Sequence, residues 1–169
     1  MRKLITLTVV LSMILFAASS WANPWKTWVS LDIADQSGEQ VDLVKNRIMK
    51  SLDKLGYIVE DSSSLSLSGD VIVIDEQQVD GFDRSFLMLE CELTLTITYN
   101  ETGSSLGSET FESKGGGDSK GEAIKEVYRN YKFSKKKLAP LLERANQKLA
   151  EKLEAINKSI LDKGKGLYN

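Results

Sequence analysis

The chain has 169 residues, with 22 Lys and Arg against 24 Asp and Glu, no histidine, one cysteine and a formal net charge of −2. A short chain without histidine excludes a multidomain enzyme and every mechanism built on imidazole. A lone cysteine excludes an internal disulfide and a four-ligand structural zinc site.

Met1–Ala22 opens with Arg2 and Lys3, continues through an apolar core over Leu4–Ala18 and ends Ser20-Trp21-Ala22. These are the three regions of a secretory signal peptide, with small residues at the cleavage positions. The apolar stretch falls short of the roughly 20 residues a spanning helix needs, so cleavage before Asn23 is expected rather than retention. The remaining 147 residues carry a net charge of −4 and suffice for one domain with its own core. Because the first mature residue would be Asn23 and Cys91 lies far away, no lipid anchor is expected. The predicted organisation is a cleaved signal peptide over 1–22, an α+β domain over 23–133, and an amphipathic helix over 134–169 packed on it or extending from it. The predicted location is the periplasm.

In chain order, Trp25–Ala34 alternates, with Val29, Leu31 and Ile33 on one side, and reads as a strand with one buried face. Ser37 and Gln40 fit a capping box for a helix over Gln40–Leu55. Val41, Val44, Ile48, Leu52 and Leu55 form its apolar stripe, and Gly56 fits a left-handed C-terminal cap. Tyr57–Val59 is short and extended. Leu65–Ile74 reads as a strand whose second half is apolar on both faces, which predicts an interior position in the sheet. Gln77–Arg84 reads as a hairpin loop. Leu87–Tyr99 is the clearest strand, with Leu89, Cys91, Leu93, Leu95 and Ile97 on one face and Glu90, Glu92, Thr94, Thr96 and Thr98 on the other. Asn100–Gly103 reads as a turn and Leu106–Ser113 as the last strand. Gly115–Ser119 leads to a helix with Ala123, Ile124, Val127, Tyr128 and Tyr131 inward. A third helix, about Leu138–Leu161, carries Pro140 in its first turn and is about 36 Å long at 1.5 Å per residue, so its final turns are expected to project. The predicted fold class is α+β: an antiparallel sheet of about four strands, helices on one face, and a long C-terminal helix.

Few patterns carry chemistry. Gly115-Gly116-Gly117 before a helix lacks the rest of any phosphate-loop motif and reads as a flexible connection. Ser51-x-x-Lys54 and Ser134-x-x-Lys137 match S-x-x-K without its companion motifs. Asp75, Glu76, Asp80 and Asp83 fit no calcium-loop spacing. Glu90 and Glu92 suggest a wet sheet face rather than a glycosidase pair. No catalytic residue, metal or cofactor is expected, and no nucleic-acid partner.

Charge is distributed unevenly. Residues 23–113 carry a net −11 and residues 114–169 a net +7. The densest basic segment holds Arg129, Lys132, Lys135, Lys136 and Lys137 interleaved with Tyr128, Tyr131 and Phe133, and is the candidate partner surface. The competing account is internal: basic helices lying across an acidic sheet.

Four segments resemble a group of bacterial envelope domains, the LPP20, CsgG-like, LpoB-like and TolB-N-terminal-like domains. They are Leu55-Gly56-Tyr57-Ile58-Val59, Leu67-Ser68-Gly69-Asp70-Val71, Leu95–Gly103, and Gly115–Ser119 with Ala123. The resemblance spans about residues 28–130 and implies a non-enzymatic module that assembles with, or regulates, envelope machinery. The expected partner is another envelope protein or an anionic envelope surface. A small-ligand carrier with an apolar pocket under the helices, and a carboxylate-based envelope hydrolase, are the alternatives.

Overall fold

The computed structural model describes residues 28–80 and 85–166. The predicted signal peptide, residues 25–27 of the first predicted strand and residues 81–84 of the predicted hairpin loop lie outside them. The chain runs β1 (Trp28–Asp35), α1 (Asp42–Asp53), β2 (Ile58–Val59), β3 (Leu65–Asp80), β4 (Ser85–Tyr99), β5 (Ser104–Gly117), α2 (Lys120–Asn130) and α3 (Lys135–Gly166).

The five strands make one sheet in the order β2-β1-β3-β4-β5. β1 is parallel to both β2 and β3, whereas β3, β4 and β5 are successive antiparallel neighbours. The expected antiparallel sheet of about four strands is thus corrected to a mixed sheet of five. The cause is α1, because a chain that leaves a strand and returns through a helix re-enters the sheet in the same direction.

α1 begins two residues later than the predicted start at Gln40. Ser37 does not cap it. The Asp35 carboxylate instead accepts from Ser37 N at 2.8 Å, Ser37 Oγ at 2.6 Å and Glu39 N at 3.1 Å, which folds the linker into a turn and lowers the acid's pKa, chiefly through the Ser37 hydroxyl. The other end follows expectation. Gly56 adopts φ +81°, Tyr57 N reaches Leu52 O at 3.1 Å and Gly56 N reaches Asp53 O at 2.9 Å, the bond pair of a Schellman cap.

All three helices cover one face of the sheet. Leu89, Cys91, Leu93, Leu95, Ile97 and Tyr99 of β4 point into it and are buried, as are Val29, Leu31 and Ile33 of β1 and Val44, Ile48 and Leu52 of α1. Each large apolar side chain taken fully from water contributes roughly 1.5–3 kcal/mol, so this face carries most of the stability. The opposite face of the sheet is open.

The strands outrun their predicted limits. Gln77–Asp80, predicted as loop, continues β3 and pairs with Ser85–Met88. Its polar composition hid the strand, because both faces of this part are wet. Ile72 and Ile74 are exposed, so apolarity on both sides of β3 does not mean two buried faces. α3 also starts earlier, which places Pro140 inside the helix rather than in its first turn.

Gly115–Gly117 is not a flexible connection but the end of β5, paired with Leu89, Met88 and Leu87. A Cβ on Gly115 would sit 2.3 Å from Val127 N, and one on Gly117 would sit 2.6 Å from Ala123 N. Absence of a side chain lets the α2 backbone rest directly on the strand. β5 is an edge strand, and two side chains cover it: Lys137 Nζ donates to Thr110 O at 3.1 Å and Asn130 Nδ2 to Lys114 O at 2.9 Å. That blunts edge-to-edge pairing.

Cys91 is buried and unpaired, as its face predicts. Burial pushes its thiol up to about 11, with Glu90 adding to the shift. Native protein at neutral pH should therefore react with a thiol reagent only at the rate of unfolding, whereas urea-unfolded protein should react at once. Native stability should also decline as pH rises from the ordinary thiol value towards about 11, because the unfolded chain loses that proton first.

Candidate functional site

The α2–α3 connection is extended, and extended backbone sends successive side chains to opposite sides. Tyr131 and Phe133 turn into the core while Lys132 turns out. Phe133 stacks on Tyr131 with centroids 5.7 Å apart and meets Phe111 of β5 at 5.1 Å. Arg47 of α1 clamps the segment from the other side, donating Nε and Nη2 to Tyr131 O at 3.1 and 2.8 Å.

This arrangement brings two basic clusters together. Arg47, Lys50, Ser51 and Lys54 lie on one flank of α1 and, with Tyr131, Lys132, Phe133 and Ser134, line a concavity of about 330 Å³. Next to it stands the α3 N-terminus, where Ser134 O accepts from Lys137 N at 3.1 Å and Leu138 N at 3.0 Å. The first turn of α3 holds Lys135, Lys136 and Lys137 and no acidic residue. Cations at a helix N-terminus oppose the macrodipole, each at a cost of about 0.3–1 kcal/mol when exposed. Among the described residues, the ion pairs engage Lys114, Lys120, Arg129 and Arg144, and none engages Lys50, Lys54, Lys132, Lys135 or Lys136. The result is an electropositive corner drawn from α1, the connection and α3, able to hold an anionic group by charge and by the Ser134 hydroxyl.

The candidate residues from the sequence divide around it. Lys132, Lys135 and Lys136 are exposed at the corner. Lys137 is spent on the β5 edge, its Nζ 5.2 Å from the Phe111 ring centroid. Arg129 lies away from the concavity and pairs with Glu126 at 3.6 Å. Tyr128 is half-buried against the core. Tyr131 is fully buried, so it anchors the connection and does not face a partner. Among the described residues its hydroxyl has no hydrogen-bond partner, and burial holds its pKa well above the ordinary phenol value. A Tyr131→Phe variant should keep or gain stability, by up to about 1–3 kcal/mol, since it removes an unsatisfied buried hydroxyl. Denaturant titration reads this directly.

Arg47, Lys50 and Lys54 escaped the sequence reading. Their i, i+3, i+7 spacing was the available signal, but the surplus of acids in residues 23–113 masked it. Among the described residues, the account of basic helices neutralised by an acidic sheet explains two ion pairs, Lys120–Glu76 at 2.6 Å and Arg144–Glu109 at 3.3 Å. Both S-x-x-K serines line the same concavity. Ser51 Oγ donates to Arg47 O at 3.1 Å, a helix-internal bond. Glu90 is held by Lys114 at 2.6 Å on the open face, where Glu92 stands opposite Glu112. Asp75 pairs across β4 on that face, while Glu76 turns to the helix side and Lys120, so the acidic run is split. Under the helices the space is filled by Leu93, Leu95, Leu106 and Leu138, all fully buried.

No protein-family model matches the chain, and no curated protein matches it. Solved structures with a related arrangement include a Xanthomonas campestris protein of the family model DUF330, at 13% identity and TM-score 0.38 over 63% of this chain and 80% of that one. A lipoprotein from Neisseria meningitidis shows 9% identity and TM-score 0.34, covering 55% of this chain and 85% of that chain. A minor lipoprotein from Acinetobacter baumannii shows 11% identity and TM-score 0.38, covering 78% and 95%. These chains are bacterial, and the likeness is one of fold at low similarity; it does not confirm the specific LPP20, CsgG-like or LpoB-like families. The expectation of no lipid anchor is corrected: structures this chain resembles are described as lipoproteins, so exclusion of an anchor does not stand. Among the described residues no helix is long and apolar enough to cross a membrane.

Proposed function

We propose that this is a non-enzymatic binding or assembly protein of the bacterial envelope, working in the periplasm and docking an acidic segment of envelope machinery at the electropositive corner. The observation that carries the reading is the convergence of Arg47, Lys50, Lys54, Lys132, Lys135 and Lys136, from three separate elements, with the lysines among them unpaired within the described residues. Holding like charges together beside a helix N-terminus costs stability, and an acidic partner offsets that cost. A non-enzymatic role is supported by the engagement of the candidate nucleophile and acids: Ser51 in its helix, Glu90 with Lys114. The packed layer beneath the helices gives the ligand-carrier alternative little support.

Pull-down from envelope extract across a salt series tests the reading. Capture should be strongest at low salt and lost near 1 M, where the Debye length is only about 3 Å. Capture that persists at high salt would contradict an electrostatic dock.

A further inference from the structure

The electropositive corner does not end at its lysines. Lys50 is a wall common to two concavities, each of about 330 Å³. One is the basic concavity of Arg47, Lys54 and Lys132. The other runs along α1 towards β2 and is lined by Met49, Lys50, Asp53, Tyr57, Ile58 and Val59. This second groove is mostly apolar. The core leaves two of its large side chains uncovered, Met49 at 38% and Ile58 at 49% exposure.

The groove is preformed. Tyr57 is buried, its hydroxyl accepts from Asn146 Nδ2 at 3.0 Å, and its N–H closes the α1 cap on Leu52 O. Glu60 N donates to Val29 O at 3.0 Å, which holds Ile58–Val59 against β1, and Val59 packs on the core. A cleft fixed in this way loses little freedom when it is filled. Met49, an unbranched thioether, adapts its wall to what enters.

We infer that the acidic segment docked at the corner carries an aromatic anchor, a tryptophan or a tyrosine, seated in this groove. The anchor rests on the docking function proposed for the corner and adds the partner's recognition chemistry to it. Charge and continuity select the occupant. A segment seated against Met49 and Ile58 passes Lys50 and reaches Lys54 and Lys132, so its flank on that side must be acidic. Asp53 repels an acid from the groove itself, which keeps the acids on the corner side. An aromatic ring uses every wall. Its body covers Met49 and Ile58, its face takes the Lys50 ammonium, and its N–H or O–H donates to the Asp53 carboxylate. Arg47 and Lys54 are seven residues apart, about 10 Å along the helix, a span that three or four extended residues cover. Anchor and acids therefore belong to one short segment. The charges steer the encounter and the seated ring slows its loss.

Binding kinetics of three synthetic peptides on the purified protein at low salt test it. One is an extended Glu-Gly-Ser chain, the second the same chain with one Trp, and the third the Trp chain with every Glu changed to Gln. The acidic Trp peptide should bind at least about tenfold tighter than the plain acidic peptide, through slower dissociation. Met49→Gln with Ile58→Thr should erase that advantage at an unchanged melting temperature, because both side chains are exposed and the new residues suit a helix and a strand. Lys54→Gln with Lys132→Gln should instead slow association of both acidic peptides and flatten its salt dependence. Equal affinity for the two acidic peptides overturns the anchor and leaves the dock standing. Failure of both to bind removes the dock, and the anchor with it. Tight binding of the Gln peptide would make the groove independent of the corner, and also overturns the anchor. So does a Trp25→Ala variant that binds the acidic Trp peptide about tenfold tighter than the wild type, since the chain's own residues ahead of β1 would then be the competing occupant.

Discussion

Gly115→Ala is expected to lower stability by about 3 kcal/mol or more, at the upper end of what overpacking costs. The added methyl would meet the backbone of α2, with Val127 N at 2.3 Å and Ala123 O at 2.8 Å, and no rotamer change can relieve a clash with main chain. Either α2 lifts away or β5 bends, and both uncover Ala123 and Val127. For a chain of this size such a loss corresponds to a melting temperature lower by roughly 6–12 °C. Gly116→Ala is the control. Its methyl would meet Met88 Sδ at 2.8 Å, the end of a flexible side chain on the open face, so the loss should stay below about 1 kcal/mol. Thermal melts of the two variants side by side distinguish a steric requirement at Gly115 from a general need for a glycine-rich strand. Equal losses would mean that chain flexibility, not close approach, explains the triplet.

Arg47→Lys is expected to cost about 1–3 kcal/mol although it preserves the charge. Two nitrogens of one guanidinium reach the Tyr131 carbonyl at 2.8 and 3.1 Å, a fork that an ammonium cannot reproduce. The bond ties α1 to the end of α2, so its loss should also loosen the connection carrying Lys132. Partner capture should fall along with stability. Urea titration and pull-down on this single variant check both effects. A variant as stable as the wild type would reduce Arg47 to a surface charge.

Much of the fold was legible where one face is buried and the other wet. The alternation of Leu89 to Ile97 against Glu90 to Thr98, and the Val44, Ile48, Leu52 stripe ended by Gly56, state their elements outright. Legibility failed where burial and composition separate. Gln77–Asp80 is the end of β3 where neither face is buried, so no periodicity marks it. Ile72 sits on the solvent side of an interior strand, where local pattern cannot tell partner from core. The parallel pairing of β1 depends on where the chain re-enters the sheet after α1, a long-range fact. Gly115 and Gly117 are required by a helix that follows them, and spacing alone cannot separate close approach from flexibility. At the candidate site, Lys132, Lys135 and Lys136 were visible as a run. Tyr131 was misplaced because interleaved aromatics look exposed until the connection is seen to be extended. Arg47, Lys50 and Lys54 join only through the fold, some 80 residues away in sequence.

The most direct measurement is paired melting and pull-down on one variant, Lys132→Glu with Lys135→Glu and Lys136→Glu. All three side chains are exposed, and none takes part in an ion pair among the described residues. Reversing them removes repulsion at the α3 N-terminus and supplies acidic residues where the dipole favours them. The account predicts a melting temperature equal to or above the wild type and loss of the captured partner. A lowered melting temperature with the partner still bound would contradict it, and would return these lysines to a role in holding the fold together.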